Sequence, residues 1–275
     1  MDENEAYTRA LGCLDAAPVK ALAAFDEALR SEPLRARIHA NRALALQALG
    51  RSDEAAEAGR RGWELDPSDG YVGMRLVEML LATSDFAAVR DAAPAVLESD
   101  LDDEETCFVS NGLAWGLMRV SPVRACEHTA ACVERWPQDA ETRAAHASAL
   151  AACCAWDEAL VWIDRAIDAA PSDVRFATRK AAIQTARAFG LDMLAEGRAQ
   201  VEADPRSPRA WREFGLLCAR YARGAEALAA FEAAHELSPP GADENGLTVA
   251  ALAAEATLRP RVALGLPVDP IPGPS

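Results

Sequence analysis

Residues 208–239 read PRAWREFGLLCARYARGAEALAAFEAAHELSP. Pro239 closes the stretch, and Ala234, Phe231 and Ala227 precede it by five, eight and twelve positions. They are thus 3, 4 and 7 apart and share one face of an α-helix. Two of them are alanines, which let a second helix approach to about 8–10 Å. Proline lacks the N–H and clashes with the preceding turn, so the helix stops at Pro239. Arg223-Gly224 separates it from an earlier helix around Trp211. The stretch predicts two helices joined by a short turn.

The same marks recur upstream. Pro205, Pro171 and Pro137 precede Pro239 at equal steps of about 34 residues, a length typical of helix-pair repeats. Pro33 and Pro67 are separated by the same step. Leu101 stands where the remaining proline is missing, and two extra residues separate it from Pro137. Twelve positions before each mark are Ala21, Ala55, Val89, Ala125, Ala159, Met193 and Ala227. Five positions before are Ala28, Gly62, Val96, Cys132, Ala166, Gln200 and Ala234, of which six are small or β-branched. Gly50-Arg51 and Phe189-Gly190 read as further turns within a unit. The expectation is seven helix–turn–helix units, at about 2–35, 36–69, 70–103, 104–139, 140–173, 174–207 and 208–241. Residues 243–258 read as a capping helix, and the Pro-rich residues 259–275 as an extended tail.

Trp211, Phe214, Gly215, Cys218, Ala227, Phe231, Ala234 and Pro239 resemble the tetratricopeptide (TPR) pattern, with Phe for its Leu and Cys for its Tyr. Leu49 to Pro67, and the set Trp156, Ala159, Ile163, Ala166 and Pro171, resemble its second half. The resemblance covers roughly residues 2–240 in about seven repeats. It implies an all-α, right-handed superhelical solenoid of antiparallel helix pairs. The ankyrin signature T-P-L-H-x-A is absent.

Composition agrees with a helical globular chain. Of 275 residues, 51% are apolar and 26% charged, and aromatics are 6%. The net charge of −15 disfavours nucleic acid and anionic membranes, which sets RNA-binding helical repeats of similar period below a protein-binding array. Arginine outnumbers lysine 26 to 2, a bias typical of GC-rich bacterial genomes. The acidic N-terminal stretch MDENEAYTRA is unlike a signal peptide, and the expected location is cytoplasmic. The seven cysteines show no disulfide framework and read as reduced thiols.

Phosphate-loop, dinucleotide, nucleophile-elbow and H-E-x-x-H motifs are absent from the sequence. The chain is expected to be no enzyme and to need no cofactor. His128 and Cys132 are i, i+4 beside Cys126, but no C-x2-C pair completes four zinc ligands, so no metal is expected. The vicinal pair Cys153-Cys154 is a weak redox candidate, because adjacent helical side chains point about 100° apart.

What the resemblance implies for function is peptide recognition. In tetratricopeptide proteins the first helix of each unit lines a concave groove. Carried over, the groove positions include Arg37, Asn41, Leu44 and Gln47 of unit two, and Tyr71, Arg75 and Glu78 of unit three. Unit five gives Glu141 and mostly alanine and serine. Units six and seven give Arg175, Arg179, Arg209, Arg212 and Arg220, whose guanidinium groups suit carboxylates. Asn41 and Arg75 also match two positions of the carboxylate clamp that some members use, although the lysine and asparagine of its first unit are missing. The expectation is a non-enzymatic adaptor or scaffold holding a peptide or helix, acidic where it meets the C-terminal arginines. The alternatives are a regulatory or co-chaperone subunit sequestering one protein, and an RNA-binding repeat.

Overall fold

The computed structural model describes residues 5–238, so the expected capping helix and Pro-rich tail lie outside the described residues. The described residues form thirteen α-helices and no strand. They divide into two compact units: 5–121 with 134–136, and 122–133 with 137–238.

The first unit runs through α1 (Glu5–Cys13), α2 (Pro18–Ser31), α3 (Ala36–Ala48), α4 (Ser52–Leu65), α5 (Gly70–Ala82), α6 (Phe86–Val96) and α7 (Asp103–Met118). Consecutive helices pack as pairs, and α5 also touches α3 and α7. The positions read from sequence form the contact faces: Ala21, Ala28, Val89 and Val96 are fully buried. Gly62 lies so close to α3 that an added Cβ would stand 3.1 Å from the Ala36 carbonyl oxygen. The fourth repeat, with its two extra residues, has a longer first helix: α7 has 16 residues, where α3 and α5 have 13.

The second unit holds α8 (Pro122–Arg135, its last turn excepted), α9 (Ala140–Ala152), α10 (Trp156–Ala169), α11 (Val174–Ala203), α12 (Pro208–Arg220) and α13 (Gly224–Leu237). The motif residues of the last repeat form one core, in which Phe214, Cys218, Ala227, Phe231 and Ala234 are buried and Trp211 packs against them. Gly215 admits the Phe231 ring, which would stand 2.7 Å from an added Cβ.

Four turns between paired helices share one geometry. The N–H groups of Arg51, Asp85, Ala155 and Arg223 donate to the carbonyls of Leu46, Leu80, Leu150 and Cys218, at 2.8–2.9 Å. The residue before each donor has positive φ: Gly50 at 72°, and Ser84, Cys154 and Ala222 at 57°. This is the Schellman closure of a helix C-terminus. Only one of the four is glycine, although a left-handed conformation costs other residues about 1–2 kcal/mol. Packing of the paired helices holds the rest in place.

The sixth repeat departs from expectation. Phe189-Gly190 forms no turn, and α11 is one helix of 30 residues, about 45 Å long. Ala188 occupies the register of the positive-φ residue and stays helical, whereas Ala222 at the same register of the last repeat is left-handed. Gly190 serves a different purpose: the Trp156 ring lies where its Cβ would be, 2.4 Å away. The buried residues Phe176, Ile183, Gly190 and Gly197 recur every seven positions, the stripe of one uninterrupted helix. Met193 and Gln200, expected on the contact face, are half-buried and exposed.

Candidate functional site

Five of the seven expected groove positions of the first unit share one cleft, and Arg37 and Glu78 do not line it. Asn41, Leu44 and Gln47 of α3 and Tyr71 and Arg75 of α5 line an open cleft of about 610 Å³, with Leu11, Leu14 and Asp15 from the first repeat. The apolar wall comes from the three leucines, and Arg75 supplies a cation. The first repeat's contribution is one that motif matching misses. Its signal is the period itself, since Tyr7, Asn41 and Arg75 stand at the same register of successive repeats.

Asn41 is buried at 3% exposure and fully engaged. Its amide nitrogen donates to the Tyr7 hydroxyl and to the Arg37 carbonyl, both at 2.9 Å, and its oxygen accepts from the Tyr71 hydroxyl at 2.6 Å. Both amide protons are committed, so Asn41 ties three helices together and has no donor left for a ligand carboxylate. That removes one of the two residues that matched a carboxylate clamp. Asn41→Ala is expected to cost about 2 kcal/mol of stability, through lost hydrogen bonds in a buried network. Urea unfolding with Tyr7→Phe and Tyr71→Phe alongside checks this; an unchanged midpoint for Asn41→Ala would refute the network.

Cations surround these rings. The Arg75 guanidinium lies 4.9 Å and that of Arg37 5.7 Å from the Tyr71 centroid, and that of Arg35 4.6 Å from Tyr7. Arg37 forks onto Asp69 at 2.5 and 3.2 Å, and Asp69 also caps α5. Arg75 reaches Glu78 at 2.6 Å. Burial opposes the charge of Arg75, but bonds to Glu78 and Tyr71 outweigh it and hold the proton more tightly than usual. Burial pushes the Tyr7 hydroxyl up, so it stays protonated.

Arg175, Arg179 and Arg209 of the second unit are engaged with carboxylates of the chain. Arg179 pairs with Glu141 at 2.8 Å, while Arg175 pairs with Asp173 at 2.6 Å and approaches the same Glu141 at 3.9 Å. Both guanidinium groups flank the buried Phe176 ring, at 5.9 and 5.6 Å. Arg209 pairs with Glu213 at 2.8 Å across one helical turn. Arg212 is half-buried on the same helix, and the exposed Arg220 lies 6.0 Å from the Tyr221 ring. Structure thus gathers Arg175 and Arg179 around Glu141, a groove carboxylate that repeat register places but does not pair.

The remaining candidates are accounted for by packing. His146 is 8% exposed, bonded through Nδ1 to the Thr129 hydroxyl at 2.8 Å, and edge-on to Trp162 with centroids 5.0 Å apart. Burial pushes its pKa down to about 4, so it is a neutral core residue at pH 7. His128 and Cys132 meet at 3.6 Å, while Cys126 turns toward Cys153 instead of joining them. Among the described residues no group of three or more His, Cys, Asp or Glu side chains is placed to hold a metal. No described helix is long and apolar enough to cross a membrane.

No family model and no curated protein matches the chain. Solved structures do. A tetratricopeptide repeat protein from Parabacteroides merdae aligns over 91% of this chain and 98% of its own, at 12% identity and a TM-score of 0.57. Pseudomonas aeruginosa pilF aligns over 77% and 96%, at 17% identity and 0.54. The MamA protein aligns over 63% and 96%, at 14% identity and 0.51. At these identities the likeness is one of fold.

Proposed function

We propose that this chain, which has the fold of a tetratricopeptide-repeat protein, is a non-enzymatic adaptor that binds a partner peptide or helix in the cleft of its first unit. The observation that carries this is that Asn41, Leu44, Gln47, Tyr71 and Arg75, groove positions implied by the tetratricopeptide resemblance, line one open cleft. Its chemistry suits a segment with an apolar side chain for Leu11, Leu14 and Leu44, while a carboxylate at Arg75 must displace Glu78 and adds little. The arginines of the second unit form a weaker second contact in this reading. An acidic segment there must displace Glu141 from Arg179 and Asp173 from Arg175, exchanging one carboxylate for another at little net gain.

The test is a capture from native lysate with wild type, Leu44→Arg and Arg179→Glu/Arg212→Glu, followed by affinity measurement on the captured segment. Leu44→Arg fills the cleft with a charge and is expected to weaken binding at least roughly tenfold, about 1.4 kcal/mol. The double mutant is expected to lose less. Equal affinity for wild type and folded Leu44→Arg would remove the cleft from the mechanism. Capture of nucleic acid that is lost steeply with salt would replace the adaptor reading with RNA binding.

A further inference from the structure

We infer that Cys126 and Cys153 form an oxidisable dithiol, a modification site that reacts with hydroperoxides and closes to a disulfide linking α8 to the α9–α10 turn. The two sulfurs lie 3.5 Å apart across 27 residues of sequence, and the Cys126 thiol donates to Cys153 Sγ. A disulfide needs about 2.05 Å, so the sulfurs must close by roughly 1.5 Å. Sequence adjacency points instead to Cys153-Cys154. Structure separates that pair, because Cys154 sits at positive φ in the turn and directs its thiol to the Arg220 carbonyl, 4.0 Å away.

The two members have different roles. Cys126 is 1% exposed, whereas Cys153 is half-buried and caps α9, where its N–H is bonded to the carbonyls of Ala149 and Leu150. Cys153 therefore meets the oxidant. The bond to Cys153, with burial, raises the pKa of Cys126, as fits a thiol that keeps its proton until the second step. In the first step the Cys153 thiolate attacks a peroxide oxygen. The O–O bond breaks, the departing oxygen leaves as water or alcohol, and Cys153 becomes a sulfenic acid. In the second, Cys126 sulfur attacks Cys153 sulfur, the S–O bond breaks, and the hydroxide leaves with the Cys126 proton as water. Two thiols are oxidised and one hydroperoxide is reduced.

The test treats the full chain with hydrogen peroxide, then maps it by mass spectrometry without reduction. The expected product lacks two hydrogens and joins the Cys126 and Cys153 peptides. It persists in Cys154→Ser and disappears in Cys153→Ser. In Cys126→Ser the Cys153 sulfenic acid has no partner and labels with dimedone. The bridge is expected to raise the thermal midpoint by about 5 °C or more, reversibly with reductant. A bridge through Cys154, or Cys153 passing to sulfinic acid without a bridge in wild type, would overturn the inference. So would a Cys153 that stays reduced where a simple thiol is oxidised.

Discussion

Leu191→Pro is expected to destabilise the second unit by about 3 kcal/mol or more. Leu191 is 36% exposed, so the loss of its side chain contributes little, and Leu191→Ala provides that baseline. The large term is in the backbone. In a continuous α11 the N–H of residue 191 donates to the carbonyl of residue 187, and proline removes that bond while its ring presses on the same carbonyl. Had the repeat turned at Phe189-Gly190, residue 191 would fall in the first turn of a new helix, where N–H groups have no intrahelical acceptor and proline is tolerated. The corresponding helix of the fourth repeat does begin on a proline, Pro122. Urea unfolding of the two variants separates the cases. A proline variant no weaker than the alanine variant would mean that α11 breaks after all. Because each helix needs its neighbours, the loss is expected to spread to α10 and α12, which pack on α11. Hydrogen exchange would show lost protection there and in α9, which also packs on α11.

The second large effect is acid sensitivity centred on His146. Its pKa is near 4 in the folded chain because burial disfavours the charged ring, and near 6.5 when unfolded. The folded value is depressed, so the unfolded chain takes up the proton first as pH falls. The stability is fully present above about 6.5, declines between 6.5 and 4, and is gone below; the total is about 3 kcal/mol. The local geometry fixes the tautomer. Thr129 has one hydroxyl proton, which goes to the Ala125 carbonyl at 2.8 Å, so its oxygen accepts from Nδ1–H of His146. His146→Gln keeps a donor for Thr129 and cannot titrate. Its stability at pH 4.5 relative to pH 7.5 is expected to fall by about 2–3 kcal/mol less than that of wild type. Carboxylates titrate in both proteins and cancel in the comparison. Parallel pH profiles would show that His146 is not the group responsible.

Much of the architecture was legible in one dimension. Equal steps between helix-ending prolines, with small residues five and twelve positions before them, specify repeated helix pairs because those spacings fall on one helical face. These features are local or periodic, and the physics that sets them acts within a turn or two of helix. The groove positions Asn41, Tyr71 and Arg75 came from the tetratricopeptide resemblance rather than from the period.

Four decisions needed the tertiary structure. A glycine in sequence signals either a turn or a close approach, and Phe189-Gly190 looked like the former. Gly190 proved to be the latter, because only the packed state brings the Trp156 ring onto its backbone. Conversely Cys154 and Ala222 take left-handed turns that no local preference asks for, held by the helices on either side. The partner of Cys153 was likewise fixed across 27 residues rather than by its neighbour in the chain. Charge followed the same rule: sequence counted arginines on the groove helices, but Glu141 and Asp173 reach Arg179 and Arg175 only once α9 and α11 are side by side and α11 is capped. Sequence by itself determined the repeat, the helices and the faces they bury. Tertiary structure decided which side chains spend their hydrogen bonds, thiols and charges on each other, because those choices depend on distances between residues that the period does not relate.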